Sequence, residues 1–182
     1  MAFEDVSSER VRGHVRTMQI ICGMLAAGVV TFLVIVLVIN GPPDAAVQPD
    51  VITYVSIGFF LVILMAALIV PGAMLKGQLA QIAGGTWKPP AQLPPEHDVS
   101  SESAKLLMAY QMHMIVRLAM FEGAGFFGLV AYLVEGHWLA LGVAICALAL
   151  LLSRFPTRSR LENWAESAQR RMQEIRQWPK RS

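Results

Sequence analysis

The chain has 182 residues, of which 55% are hydrophobic and only 15% charged, against roughly 25% charged residues in a soluble domain. Together with a positive mean hydropathy, this argues against an ordinary soluble protein and for a membrane protein of one domain. The net charge is +2 with two cysteines; no base-reading motif points to nucleic acid, and no CxxC or Cys/His spacing points to a disulfide framework or a metal site.

Residues 1–17 mix Arg10, Arg12 and Arg16 with Glu4, Asp5 and Glu9. The apolar run that follows is too long for a signal-peptide core, so no cleaved leader is expected. Met18–Ile39 carries no charge and as a helix reaches about 33 Å, enough for a bilayer core. Asn40–Asp50 is a short link. Val51–Leu75 is a second uncharged run, expected to end near Pro71. Residues 18–75 thus read as one transmembrane hairpin.

Residues 76–105 read as a polar loop. Pro89, Pro90, Pro94 and Pro95 give it polyproline character, with Trp87 anchored at the membrane interface. Residues 106–155 form a second hairpin: Met112–Val134, interrupted by Arg117 and Glu122, then the turn Glu135-Gly136-His137, then Trp138–Ser153 extended by Arg154, whose stem can snorkel. Each span must be helical, because lipid offers the backbone no partners. Cys22 and Cys146 are expected as buried thiols.

All Lys and Arg residues but Arg117 fall before the first span, between spans two and three, or from Arg154 onward. The positive-inside rule places those segments in the cytoplasm. The expected location is a plasma (bacterial inner) membrane, with both termini cytoplasmic and Tyr54 and Trp138 at the opposite interface.

Asp5-Val6-Ser7-Ser8-Glu9 recurs as Asp98-Val99-Ser100-Ser101-Glu102, each copy ahead of a hairpin. Ile20, Gly28 and Phe32 align with Ile115, Gly123 and Phe127. Two tandem hairpins of equal orientation follow, related by a pseudo-two-fold axis along the membrane normal. In this alignment Ala27 faces Glu122 in register, and Cys22 faces Arg117.

Glu122 lies well inside the third span, where a charged carboxylate costs several kcal/mol unless paired, hydrated or protonated. Arg117 is about 140° away around the helix and shares a face with His113 instead. Small residues at similar depth (Ala26, Ala27, Gly28, Thr31, Gly142, Cys146) allow close approach, and a protonated Glu122 is expected to donate a hydrogen bond to Thr31 or to a backbone carbonyl. The bland reading is a clasp between helices or subunits; the sharper one is a proton or cation site. The segment Arg117–Glu135, RLAMFEGAGFFGLVAYLVE, resembles the carboxylate helix of rotary-ATPase proteolipids, which can also be duplicated hairpins with the carboxylate in one half. It departs from that family in carrying the carboxylate on the first helix of its hairpin and in the long proline-rich loop between hairpins, and no membership is assigned. Met108, Met112, His113, Met114 and Met120 read as adaptable packing, since they do not converge on one face.

The tail, residues 156–182, carries a capping box at Ser159 and Glu162 and an apolar stripe of Leu161, Trp164, Ala165, Ala168, Met172 and Ile175. Its other faces carry Arg158, Arg160, Arg170, Arg171 and Arg176. It is expected to lie on the anionic inner leaflet or to dock a partner.

The expected fold is therefore an all-α membrane protein: four transmembrane helices as two tandem hairpins, plus a C-terminal amphipathic interfacial helix. No nucleophile–base pair or phosphate loop points to an enzyme, and no cofactor is implied. The expected function is structural or assembly work with a second copy or a larger membrane complex; the alternative is proton or cation translocation through Glu122.

Overall fold

The computed structural model describes residues 8–42, 48–88 and 101–177. Five helices account for it: α1 (Ser8–Asn40), α2 (Val51–Ala83), α3 (Glu102–Glu135), α4 (Trp138–Ser153) and α5 (Arg158–Gln177), with no strand among the described residues. Three of them, α1, α2 and α3, are long and apolar enough to cross a membrane. The chain is thus an all-helical protein of membrane-embedded type. Helix α4 is apolar but has 16 residues, about 24 Å against a hydrocarbon core of about 30 Å.

Local chemistry sets the helix ends. Ser101 Oγ accepts from the Ala104 N–H at 3.2 Å, an N-cap on the third helical residue. The serine of the second acidic-serine motif is therefore the start signal of α3. Residues 5–7 and 98–100 of the two motif copies lie outside the described residues. Gly136 turns the chain with φ +69°, a conformation that L side chains rarely adopt, and its N–H closes α3 on the Tyr132 carbonyl at 2.8 Å. His137 then caps α4, its Nδ1 accepting from the Leu139 N–H at 3.1 Å.

Two expectations about helix ends are corrected. Helix α2 does not stop near Pro71 but runs through it to Ala83. Helix α5 starts before Ser159: the Leu161 N–H bonds the Thr157 carbonyl at 3.1 Å, so Thr157 stands at the cap and Ser159 is inside the helix. The proline run 89–95 lies outside the described residues.

The chain divides into two compact units, to both of which α1, α2 and α3 contribute. One comprises residues 19–70 and 115–155. Its core is built from Cys22, Ala26, Val29 and Val36 of α1, Leu118, Phe121, Leu129 and Tyr132 of α3, and Ala140, Ala144 and Leu151 of α4. The α4 positions recur at helical spacing (Ala140, Val143, Ala144, Ala147, Leu151), giving one buried stripe. Helix α2 gives this core little besides Ala67, and Tyr54, Val62, Met65 and Ile69 stay exposed. Cys22 is buried, but Cys146 is exposed, because it lies off the α4 stripe.

The other unit comprises residues 1–18, 71–114 and 156–182. Here Leu75, Leu79 and Ile82 of α2 pack with Leu106 and Ala109 of α3 and with Ala168 and Met172 of α5. Leu161 of α5 joins Val15, Met18, Leu107, Tyr110 and Met114. The apolar stripe expected to rest on lipid is therefore buried against protein, with only Ile175 left exposed. Trp87, expected at the membrane interface, is buried in the same α2–α3–α5 cluster. An indole buries a large area, which anchors the chain end beyond α2 to the core.

Close helix contact falls at Gly128 and Gly125, not at Gly142. A β-carbon on Gly128 would lie 3.0 Å from the Ala144 nitrogen and 3.1 Å from the Ala140 oxygen, both backbone, while Gly142 has nothing within 4 Å. Backbone cannot yield as a side chain can. Gly128→Ala is expected to destabilise the unit by about 1–3 kcal/mol through overpacking, whereas Gly142→Ala stays within about 0.5 kcal/mol. Thermal unfolding of the two variants in detergent measures the difference, and equal midpoints would rule out the α3–α4 contact.

Candidate functional site

The polar chemistry of the 19–70/115–155 unit lies in Arg117, Glu122, Glu135 and the groups they reach. Arg117 Nε donates to the Ala67 carbonyl at 3.1 Å. Ala67 is four residues before Pro71, and proline has no N–H to return to the carbonyl four residues back. The Ala67 carbonyl is thereby freed inside an apolar helix, at a residue that is fully buried. Arg117 supplies the missing donor from α3, one of the ways in which a proline is tolerated in a membrane helix. Arg117 is half-buried, and its charge is committed to α2 and not to Glu122.

Glu135 does the corresponding work at the N-terminus of α2. Its Oε1 accepts from the Ile52 N–H at 2.7 Å, and its Oε2 from the Thr53 N–H at 2.9 Å and from the Thr53 hydroxyl. These are first-turn donors with no partner inside the helix. A carboxylate there also opposes the positive end of the helix dipole. Asp50, the local capping candidate, reaches only the Val51 N–H, at 2.8 Å.

Asn40 completes the pattern at the end of α3. Its Nδ2 donates to the Tyr132 and Leu133 carbonyls at 2.8 and 3.0 Å, while the buried Tyr132 hydroxyl donates to the Gly41 carbonyl at 2.9 Å. The ends of α1, α2 and α3 thus satisfy one another's backbones. Glu135, Asn40 and Tyr132 were missed as functional positions. The available signal was an acid and an amide at the ends of apolar runs, but their partners lie 82 to 93 residues away.

Glu122 stands apart. It is half-buried on α3, and a β-carbon placed on Gly28 would be 3.8 Å from its Oε1 and 3.6 Å from the Phe126 ring. Among the described residues, no hydrogen-bond or ion-pair partner reaches it. Thr31, one of the two expected partners, is exposed. The reason is register: α1 turns Cys22, Ala26, Val29 and Val36 into the core, and Thr31 falls off that stripe. His113 belongs to the other unit, where it lines a cleft with Arg171.

The basic residues of α5 are placed unequally. Arg160, Arg170 and Arg171 are exposed, and of these Arg171 borders the cleft. The side chains of Arg158 and Arg176 lie outside what the structure describes. Among the described residues, no group of three or more His, Cys, Asp or Glu converges as a metal cage.

The Arg117–Ala67 pairing makes a coupled prediction. Arg117→Leu leaves a buried carbonyl without a donor, an expected loss of about 1–3 kcal/mol. Pro71→Ala restores the helix's own N–H to that carbonyl, so the same Arg117→Leu change costs less in the Pro71→Ala background. A double-mutant cycle on thermal unfolding in detergent reads the coupling; identical losses in both backgrounds would show that Arg117 does not serve Ala67.

No protein-family model matches the chain, and no curated protein or solved structure matches it significantly.

Proposed function

We propose that this protein is a four-span membrane protein of two tandem hairpins, with both termini in the cytoplasm, whose work is assembly: packing within the bilayer against a second copy or a larger complex. One observation carries the reading. Arg117 and Glu135 are consumed by helix backbones within the chain, whereas Glu122 lies beside Gly28 with no bonding partner among the described residues. A carboxyl group in an apolar helix is stabilised by any donor or acceptor that a neighbouring helix brings, and small residues let that helix approach.

The neighbours of Glu122 also favour a clasp over a relay. Gly28 and Phe126 lie beside it, and neither transfers a proton. Translocation needs a succession of polar groups, and among the described residues no polar side chain is bonded to this carboxyl. Two further features support the tandem-hairpin reading. The boundaries between the two compact units fall at both Pro71 and Pro156, and at Met18 and Met114, which are near-equivalent places in the two halves. The exposed apolar residues of α2 suit a helix bordered by lipid or by a partner.

Two measurements test this. Reporter fusions at Pro43 and Pro90 are expected to report opposite sides of the membrane; the same side for both would defeat the topology. In detergent, wild-type protein is expected to run as an oligomer or complex on light scattering, and Glu122→Ala as a smaller folded species. A size unchanged by the substitution, with proton flux in liposomes that Glu122→Gln abolishes, would replace assembly with translocation.

A further inference from the structure

Outside the region of Glu122, the unit of residues 1–18, 71–114 and 156–182 holds a cleft of about 200 Å³. Leu75 and Leu79 of α2 form one wall, one helical turn apart. Trp164 of α5 forms another, its ring held against Tyr110 at 4.6 Å between centroids. Three polar residues also line the space: His113, Ser167 and Arg171. The Ser167 hydroxyl donates to the Asn163 carbonyl at 2.9 Å and adds no charge. Among the described residues, no carboxylate pairs with Arg171, although Glu174 lies one turn further along α5.

An apolar cleft bordered by a guanidinium and an imidazole is chemically lopsided. It favours a ligand with an anionic head and a hydrocarbon body. Arginine's planar fork matches a phosphate with two parallel hydrogen bonds. The volume is too small for a drug-sized molecule, whose pockets start at about 300 Å³, but it accepts a headgroup phosphate with the first methylenes of a chain. Since three helices of this chain have the length and apolarity of membrane spans, the abundant source of such a ligand is the bilayer itself.

We propose that this cleft is a binding site for an anionic phospholipid: phosphate at Arg171 and His113, glycerol and upper acyl carbons against Leu75, Leu79 and Trp164. This is narrower than attraction of a basic helix to a charged leaflet, because Arg171 contributes and its neighbour Arg170 does not. The site rests on the membrane residence of the chain and not on Glu122, so an oligomer insensitive to Glu122 leaves it standing.

The test uses the full chain in dodecyl maltoside, titrated with dioleoyl phosphatidylglycerol, dioleoyl phosphatidylcholine or inorganic phosphate, with the thermal unfolding midpoint as readout. Phosphatidylglycerol is expected to raise the midpoint saturably, and the other two are not. Arg171→Gln is expected to weaken the apparent affinity about ten-fold or more, the size of a lost charge-assisted hydrogen bond, while Arg170→Gln changes it less than about two-fold, as for a screened surface charge. Ser167→Phe, which fills the cleft and leaves every charge in place, is expected to abolish the shift. Equal weakening by Arg170→Gln and Arg171→Gln, an equal response to phosphatidylcholine, or a full shift with inorganic phosphate alone would each overturn the proposal.

Discussion

Peptide groups that leave water must find partners, and this chain meets that demand largely between helices. A helix satisfies its own interior but leaves its first N–H groups, its last carbonyls and any carbonyl facing a proline without partners. Here the open positions are closed from elsewhere in the sequence. Arg117 closes the gap at Ala67, Glu135 closes the start of α2, and Asn40 closes the end of α3. The hydrophobic clusters bring the helices together, and these polar pairs select their register. A shift of one residue along α3 moves Glu135 off the Ile52 and Thr53 N–H groups and Arg117 off its carbonyl.

The same demand explains what could be read from the chain and what could not. Uncharged runs such as Met18–Ile39 and Val51–Leu75 announce helices by length and composition alone, and the helices are there. Pro71 reads as a stop because proline usually is one; its tolerance depends on Arg117, 46 positions later, which no local window contains. Trp87 reads as a membrane anchor because aromatics gather at interfaces, but the packing of α2, α3 and α5 around it is a tertiary fact. The stripe on α5 reads as a face set on lipid or on a partner, whereas most of it packs into the chain's own core; periodicity marks an apolar face without saying what covers it. For Glu122 the sequence indicated cost without indicating a partner. The structure sharpens this by removing Thr31 and leaving Gly28 and Phe126 beside it.

The two halves of the proposed duplication use this chemistry unequally. In the first half the proline lies inside a continuous helix of 33 residues. In the second, α4 ends at Ser153, Arg154 caps it, and Pro156 precedes a new helix. The donor that serves the first proline, Arg117, aligns with Cys22, and a thiol is a weak donor. A difference of one side chain thus accompanies one long helix in the first half and two shorter ones in the second. The separate helix α5 follows from that break, and with it the cleft bounded by Trp164 and Arg171.

The Arg117–Ala67 bond also bears on the order in which the chain is made. Synthesis proceeds from α1 and α2 to α3, so the Ala67 carbonyl and the N-terminal turn of α2 leave the ribosome before Arg117 and Glu135 do. Until Arg117 and Glu135 emerge, α2 holds an open acceptor at one place and open donors at another. Helix α3 is in this sense a late-arriving part of α2, and a chain truncated before residue 117 would lack not only most of α3 and all of α4 and α5 but also the groups that let α2 settle.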